Sequence, residues 1–363
     1  MENQIRNEIV TAFENNKAVK LLLSKTSNQE SAKKLQAKVD KQIDERFNQL
    51  DEENKEKLKS YIDINEKLKL LKEQIESTSF QLKVSELPKV KEYALNNSTS
   101  LDQRKHREQI FERLNQQLNG TDILKTQLNL FGSRTHRITT QNYNLQSMPT
   151  SLKKLIMPNK FKKIYTCDFN SFDPCIVAWL SKDEKLIHLL NSNKGLYNEL
   201  LSSFELDNSF RNYIKQAFIG SFLFEGQYEQ FDIANFINKD NWYAMLNQFS
   251  NVKNLQNKIK YSSELEMPYG ITHKILDNDT NWFAIYIQTI ASFVFKYVLH
   301  DIYNAQQLND DFLIKIPIHD SIMIECNDLN VANRVAEQMK NKANEIMNCK
   351  YNKVKIEEIG DNH

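Results

Sequence analysis

The stretch from Tyr165 to Ile187, YTCDFNSFDPCIVAWLSKDEKLI, constrains the chain more than any other segment, because it reads as strand, carboxylate, turn and helix. Ile164 to Cys167 is a short β-favouring run and Asp168 follows at its end. Pro174 falls in the first turn of a helix carrying Ile176, Val177, Trp179 and Leu180. A carboxylate at a strand end is held at a fixed point. That suits magnesium, which takes near-octahedral oxygen ligands through one or two carboxylates plus substrate phosphates. Alone, Asp168 reads as a helix N-cap or a turn aspartate, and only a second carboxylate arriving from elsewhere favours the metal.

The second carboxylate stands near the other end of the chain. Phe312 to Cys326, FLIKIPIHDSIMIEC, holds two β-rich runs, FLIKIPI and IMIEC, broken by His319-Asp320-Ser321; this predicts a hairpin with an acidic residue at its tip. Side by side in one sheet, Asp168 and Asp320 would hold two divalent ions, Mg2+ or Mn2+, for in-line displacement at a phosphate.

At this point a family resemblance enters. DFNSFDPCIVAWLSKDEKLI and IHDSIMIE resemble the first palm motif and the His-Asp motif of the family A DNA polymerases. RITTQNYNLQSMP, from Arg137 to Pro149, resembles the segment that family places before its first palm motif. Arg211 and Lys215 match the first half of its fingers helix, and IQTIASFVFK, from Ile287 to Lys296, resembles the helix whose glutamine, here Gln288, faces the template. VKIEEIGDN, from Val354 to Asn362, resembles its last strand and closing turn, so the likeness covers roughly residues 120 to 363. Each motif alone is a weak pattern, but five in the correct order are specific.

The resemblance implies an α+β fold of right-hand polymerase type: a palm with an antiparallel sheet, reduced helical fingers and a helical N-terminal region resembling a thumb. Residues 1–95 would be that region, a coiled-coil thumb or a docking arm for another protein, and 96–150 a linker and primer-template-binding segment. Residues 151–207 and 286–363 would be the two parts of the palm, with the fingers at 208–285. The resemblance makes Asp168 and Asp320 the catalytic metal ligands. It makes Arg137, Asn144, Gln146, Gln288 and His319 contacts to the primer-template, and Arg211, Lys215 and Asp173 contacts to the nucleotide.

The fingers segment also has a geometry of its own. In a helix from Asn208 to Glu225, Arg211, Lys215, Phe218 and Phe222 fall on one face at i, i+4, i+7 and i+11. Two cations and two rings on one stripe suit a triphosphate held by the cations with a base stacked on Phe218 or Phe222. Taken alone, the pattern is an amphipathic helix with its phenylalanines in a core; the surrounding motifs favour the nucleotide. Lys153, Lys154, Lys160, Lys162 and Lys163 form a basic patch just before Asp168, either a solvated surface or a track for phosphates.

Composition restrains these expectations only loosely. Lys plus Arg, 48, almost cancel Asp plus Glu, 47, so any nucleic-acid surface must be a local groove. Cys167, Cys175, Cys326 and Cys349 show no CxxC spacing, which argues against zinc and predicts four free thiols in a reducing, cytoplasmic setting. No apolar run approaches a membrane span, and MENQIRNEIV lacks a signal-peptide core. The first 95 residues lack glycine and carry apolar residues such as Leu58, Ile62, Leu68, Leu71 and Ile75 at helical spacing. The charge pattern over Ser31 to Ser77 fits a coiled-coil hairpin or a solvated helical pair.

Departures from the family refine the function. Asp173 stands where the family has a glutamate and Leu223 where it has a tyrosine, a pair that excludes a ribose 2′-hydroxyl, so the sugar gate reads as loosened. Ser321 replaces the acid after the His-Asp pair, as in some single-subunit RNA polymerases of related fold. The span between the two aspartates is short, and the compact form resembles the family-A-derived polymerase of staphylococcal cassette elements, a group associated with primase activity. Three functions compete: a primase or short-patch polymerase using single-stranded or primed DNA and nucleoside triphosphates, with a helicase or small accessory protein docked on the N-terminal helices; a gap-filling polymerase without proofreading; and a non-catalytic single-stranded-DNA-binding module. Mutually repelling carboxylates beside Arg211 and Lys215 oppose the third.

Overall fold

The structure, a computed structural model, describes residues 51–360 apart from Thr99, Tyr143, 269–271 and 275–280, and before them only Lys34, Ala37, Lys38, Lys41, Glu45 and 48–50. The first part of the hairpin expected over Ser31 to Ser77, up to residue 47, therefore lies largely outside the described residues. The chain forms two compact units, 1–66 with 258–282, and 67–257 with 283–363.

In chain order the elements are helix α1 (Glu52–Ser77), strand β1 (Phe80–Gln81), helices α2 (Leu87–Asn96) and α3 (Leu101–Leu118), and strands β2 (Ile123–Leu124), β3 (Thr126–Asn129) and β4 (Thr139–Asn142). After the short helix α4 (Thr150–Lys153) come β5 (Lys163–Phe169) and helices α5 (Phe172–Ser181), α6 (Glu184–Asn191), α7 (Leu196–Ser203), α8 (Arg211–Leu223), α9 (Lys239–Leu246) and α10 (Ser250–Lys260). Then follow β6 (Glu264–Glu266), β7 (Thr272–Lys274), α11 (Trp282–Asn309), β8 (Phe312–Ile318), β9 (Ser321–Cys326), α12 (Leu329–Met347) and β10 (Val354–Ile359). In the first unit β6 pairs antiparallel with β7.

The second unit is built on a four-stranded antiparallel sheet in the order β10-β5-β9-β8. Every residue of β9 is buried, as are six of seven in β8, which explains why both read as continuous apolar runs rather than alternating ones. Helix α12 packs across β10, β5 and β9 and buries Ala332, Val335, Ala336, Met339, Ala343 and Met347. Asp328 starts it by accepting from the backbone N–H groups of Asn330 and Val331. The hairpin turn is tighter than the sequence suggested. Ser321 belongs to β9, and its hydroxyl donates to the Ile318 carbonyl at 2.8 Å, leaving only His319 and Asp320 in the turn, with His319 at φ 55°.

Two charges lie inside this sheet. Lys315 Nζ stands 3.2 Å from Glu325 Oε2 with neither side chain exposed, and donates to Asn159 Oδ1 at 2.7 Å. Glu325 Oε1 accepts from the backbone N–H groups of Lys160 and Phe161. The pair fastens the segment leading into β5 onto β8 and β9. Burial depresses the Lys315 ammonium, against the pull of Glu325.

Helix α11 corrects one expectation. It is long and apolar enough to cross a membrane, and most of its apolar length is buried as core. Gln288, Thr289, Ser292 and Lys296 interrupt the run in the sequence and hide its length. All four cysteines are free thiols.

Candidate active site

Register brings the two aspartates together. Asp168 on β5 is the cross-strand partner of Ser321 on β9, the residue after Asp320, and the Phe169 N–H donates to the Asp320 carbonyl at 3.3 Å. Along β5 the burial alternates, so Cys167 and Phe169 face the core while Thr166 and Asp168 are half-buried on the other face. The Asp320 carboxyl is pushed up to about 7, first by burial and then by the charges of Asp168 and Asp173. Asp173, in the first turn of α5, is also held above the usual carboxylate range by burial, with Arg137 opposing.

Cations surround this acidic group. Arg137 Nη2 stands 3.7 Å from Asp173 Oδ2, and Lys355 Nζ, on β10, stands 3.0 Å from Asp168 Oδ2. Burial lowers the Lys153 ammonium, and Asp168 and Glu357 partly restore it. Arg137 is fixed from behind: Ser292 and Lys296 of α11 donate to the carbonyl of His136 at 2.7 and 2.5 Å, and the Lys296 ammonium stands 3.5 Å from the centre of the Phe131 ring. Gly132 opens this loop because a side chain there would overlap Thr139, whose Oγ1 would lie 1.7 Å from the added carbon.

Helix α8 presents Arg211 and Lys215 on its exposed side. Both lie over the buried ring of Tyr197 from α7, at 5.5 and 5.8 Å from its centre. The Tyr197 hydroxyl bonds the side chain of Ser171 and feels Asp173; its acidity is suppressed to a pKa of about 12, chiefly by burial. Tyr197 thus links the cations of α8 to the acidic group.

Asp168 and Asp320 offer hard oxygen donors of the kind Mg2+ takes. Among the described residues no group of three or more His, Cys, Asp or Glu side chains could hold a metal. Two carboxylates are nevertheless what this ion ordinarily draws from a protein when substrate phosphates complete its shell.

No family model matches the chain, and no curated protein matches it in sequence. A solved structure matches it in shape: the POL domain of Pol1 from M. smegmatis in complex with DNA primer-template and dNTP, at a TM-score of 0.57 and 15% identity. The fold is that of a polymerase domain. The match covers 70% of this chain and 51% of the other, so this chain spans about half the length of that neighbour.

Within the polymerase fold the residues expected from sequence divide. Asp168, Asp320, Asp173 and Arg137 meet at one end of the sheet, with His319 at the hairpin tip; desolvation, then Arg137 and Lys153, hold its imidazole below the usual histidine range. Gln288 lies half-buried on α11. Asn144 uses its side-chain oxygen to cap the turn Leu145–Ser147, accepting from the N–H groups of Gln146 and Ser147. Gln146 is buried and donates to the carbonyls of Ile138 and Pro317 at 2.9 and 3.1 Å, so it braces the segment against β8 and does not face a groove.

Phe218 and Phe222 are likewise core residues. They stack on each other with centroids 4.5 Å apart and meet Phe249 edge-on, which leaves no ring face for a base. Leu223 is fully buried. In the lysine patch, Lys160 pairs with Asp310 and Lys163 with Glu358, so part of its charge is neutralised. Sequence reasoning missed Tyr197 and Lys355. The one signal for Lys355 was the alternation in VKIEEI, which gains meaning only once the register with β5 is known.

Proposed function

We propose that the protein is a template-directed nucleotidyltransferase that joins nucleotides on single-stranded or primed DNA by two-metal phosphoryl transfer, working as a primase or over short patches in the replication of a mobile element. The observation that carries this reading is the pairing of β5 with β9, which seats Asp168 beside Asp320 at one end of the sheet. The neighbouring polymerase fold, which in that protein holds primer-template and dNTP, supports the same ligand classes here.

In this reading Asp168 and Asp320 hold two Mg2+ or Mn2+ ions. Such ions supply activation of the attacking hydroxyl and neutralisation of charge on the transferred phosphate. Arg211 and Lys215, propped by Tyr197, bind the triphosphate with charge-assisted hydrogen bonds. Arg137, Gln288 and His319 meet the primer-template, and Arg137 also restrains Asp173 at the sugar. The short span between the aspartates and the shorter acid at Asp173 favour short synthesis over long replication. The N-terminal helices would dock a helicase or a small accessory protein.

The test is incubation of the protein with bare single-stranded DNA, Mg2+ or Mn2+ and labelled nucleotides. A primer-independent product is expected. Extension only of an annealed primer would make it a gap-filling polymerase, and no product in either assay would remove the catalytic reading.

A further inference from the structure

We propose that Lys355 is the resident counter-cation of Asp168, which a divalent ion must displace to enter the site. The proposal rests on the reading of Asp168 as a metal ligand. Lys355 on β10 is the direct cross-strand partner of Asp168 on β5, and its ammonium stands 3.0 Å from Asp168 Oδ2. Register sets this contact, because directly opposed residues of antiparallel strands project from the same face about 5 Å apart. Glu357 and Thr166 are the next pair on that face, and Glu357 and Asp168 both act on the ammonium of Lys153. Arg137 is committed to Asp173, while Asp320 has no ion-pair partner among the described residues. Of the two proposed ligands, Asp168 therefore already carries a cation of the chain's own.

The consequence follows from exposure. The Lys355 side chain is 54% exposed and that of Asp168 27%, so the ammonium has an open route to solvent and the pair is of modest strength. Without metal, the contact orients the Asp168 carboxylate. With metal, it is a competitor that raises the ion concentration the site requires, by about two- to fivefold for a pair of this exposure.

The experiment is titration of the full chain, free of nucleotide, with Mn2+, reading free ion by electron paramagnetic resonance. It compares wild type, Lys355→Gln, Lys355→Arg, Asp168→Asn and the double variant Asp168→Asn with Lys355→Gln. Lys355→Gln should bind Mn2+ about two- to fivefold more tightly, whereas Lys355→Arg, which keeps the cation, should bind as wild type or more weakly. In the Asp168→Asn background Lys355→Gln should change nothing, since the two residues act on one another. Equal or weaker binding by Lys355→Gln, or the same gain without Asp168, would overturn the role of Lys355 alone. A wild type that binds no Mn2+, or an Asp168→Asn variant that binds as wild type does, would overturn the metal reading and this proposal with it.

Discussion

The backbone N–H of Phe169 donates to the carbonyl of Asp320 at 3.3 Å, so the residue after one aspartate is bonded to the other aspartate itself. The backbone spacing of the two aspartates is therefore a property of the sheet, set by the pairing of β5 with β9. Burial of the Asp320 carboxyl, and after it the charges of Asp168 and Asp173, cost folding energy when Asp320 is ionised, and the pH behaviour of the site follows from that.

The folded-state pKa of Asp320, about 7, lies above its unfolded value of 3.8. Between those values the folded chain keeps a proton that the unfolded chain has lost, so stability falls as pH rises through that window and levels off above it. In chelator, Asp320→Asn should raise the melting temperature at pH 8 and leave it nearly unchanged at pH 4. Equal shifts at both pH values would contradict the assigned burial and repulsion of Asp320.

Removing the proposed nucleotide clamp should spare the fold. Arg211 and Lys215 are exposed cations over Tyr197, and their replacement by alanine should raise the nucleotide KM about tenfold or more while moving the melting temperature little. Steady-state incorporation at varied nucleotide concentration measures this; an unchanged KM in both variants would return α8 to a structural role.

The ion pair inside the sheet predicts the opposite pattern. Lys315→Met leaves Glu325 buried and uncompensated, which should destabilise the protein by about 3 to 5 kcal/mol, and adding Glu325→Leu should recover much of that loss. Denaturant unfolding of the single and double variants would show it.

Local pattern made much of this legible in the sequence. The run ending at Asp168, the first-turn Pro174 and the His319-Asp320 hairpin are short-range signals, and each formed within a residue or two of expectation. Long-range partners were not legible. Gln146 looked available for DNA until its amide met the carbonyl of Pro317 on a distant strand, and Phe218 and Phe222 looked available for a base until Phe249 closed over them. Lys315 and Glu325 break the apolar pattern of their strands and are intelligible only as partners. Lys355 gained its meaning from register alone.

Sugar selection gives a further outcome. In the proposed reading Asp173, which pairs with Arg137, is one methylene shorter than the acid the family resemblance implies, and the buried Leu223 stands where that resemblance has a tyrosine, which would leave room for a 2′-hydroxyl. A pocket that merely admits a hydroxyl discriminates by about 100-fold or less. Ribo- and deoxyribonucleotide incorporation on one template should differ by no more than that, and Asp173→Glu should widen the gap. Strong exclusion of ribonucleotides by the unmodified protein would place the gate elsewhere.

The measurement that bears most directly on the central claim is nucleotide incorporation on a primed and an unprimed template by Asp168→Asn and Asp320→Asn, each shown by circular dichroism to be folded. Loss of one metal-binding charge should abolish incorporation by either variant, to at least 1,000-fold below wild type on the order of a transition-state interaction of about 4 kcal/mol. Retained synthesis by either folded variant would contradict the assignment of Asp168 and Asp320 as the catalytic pair.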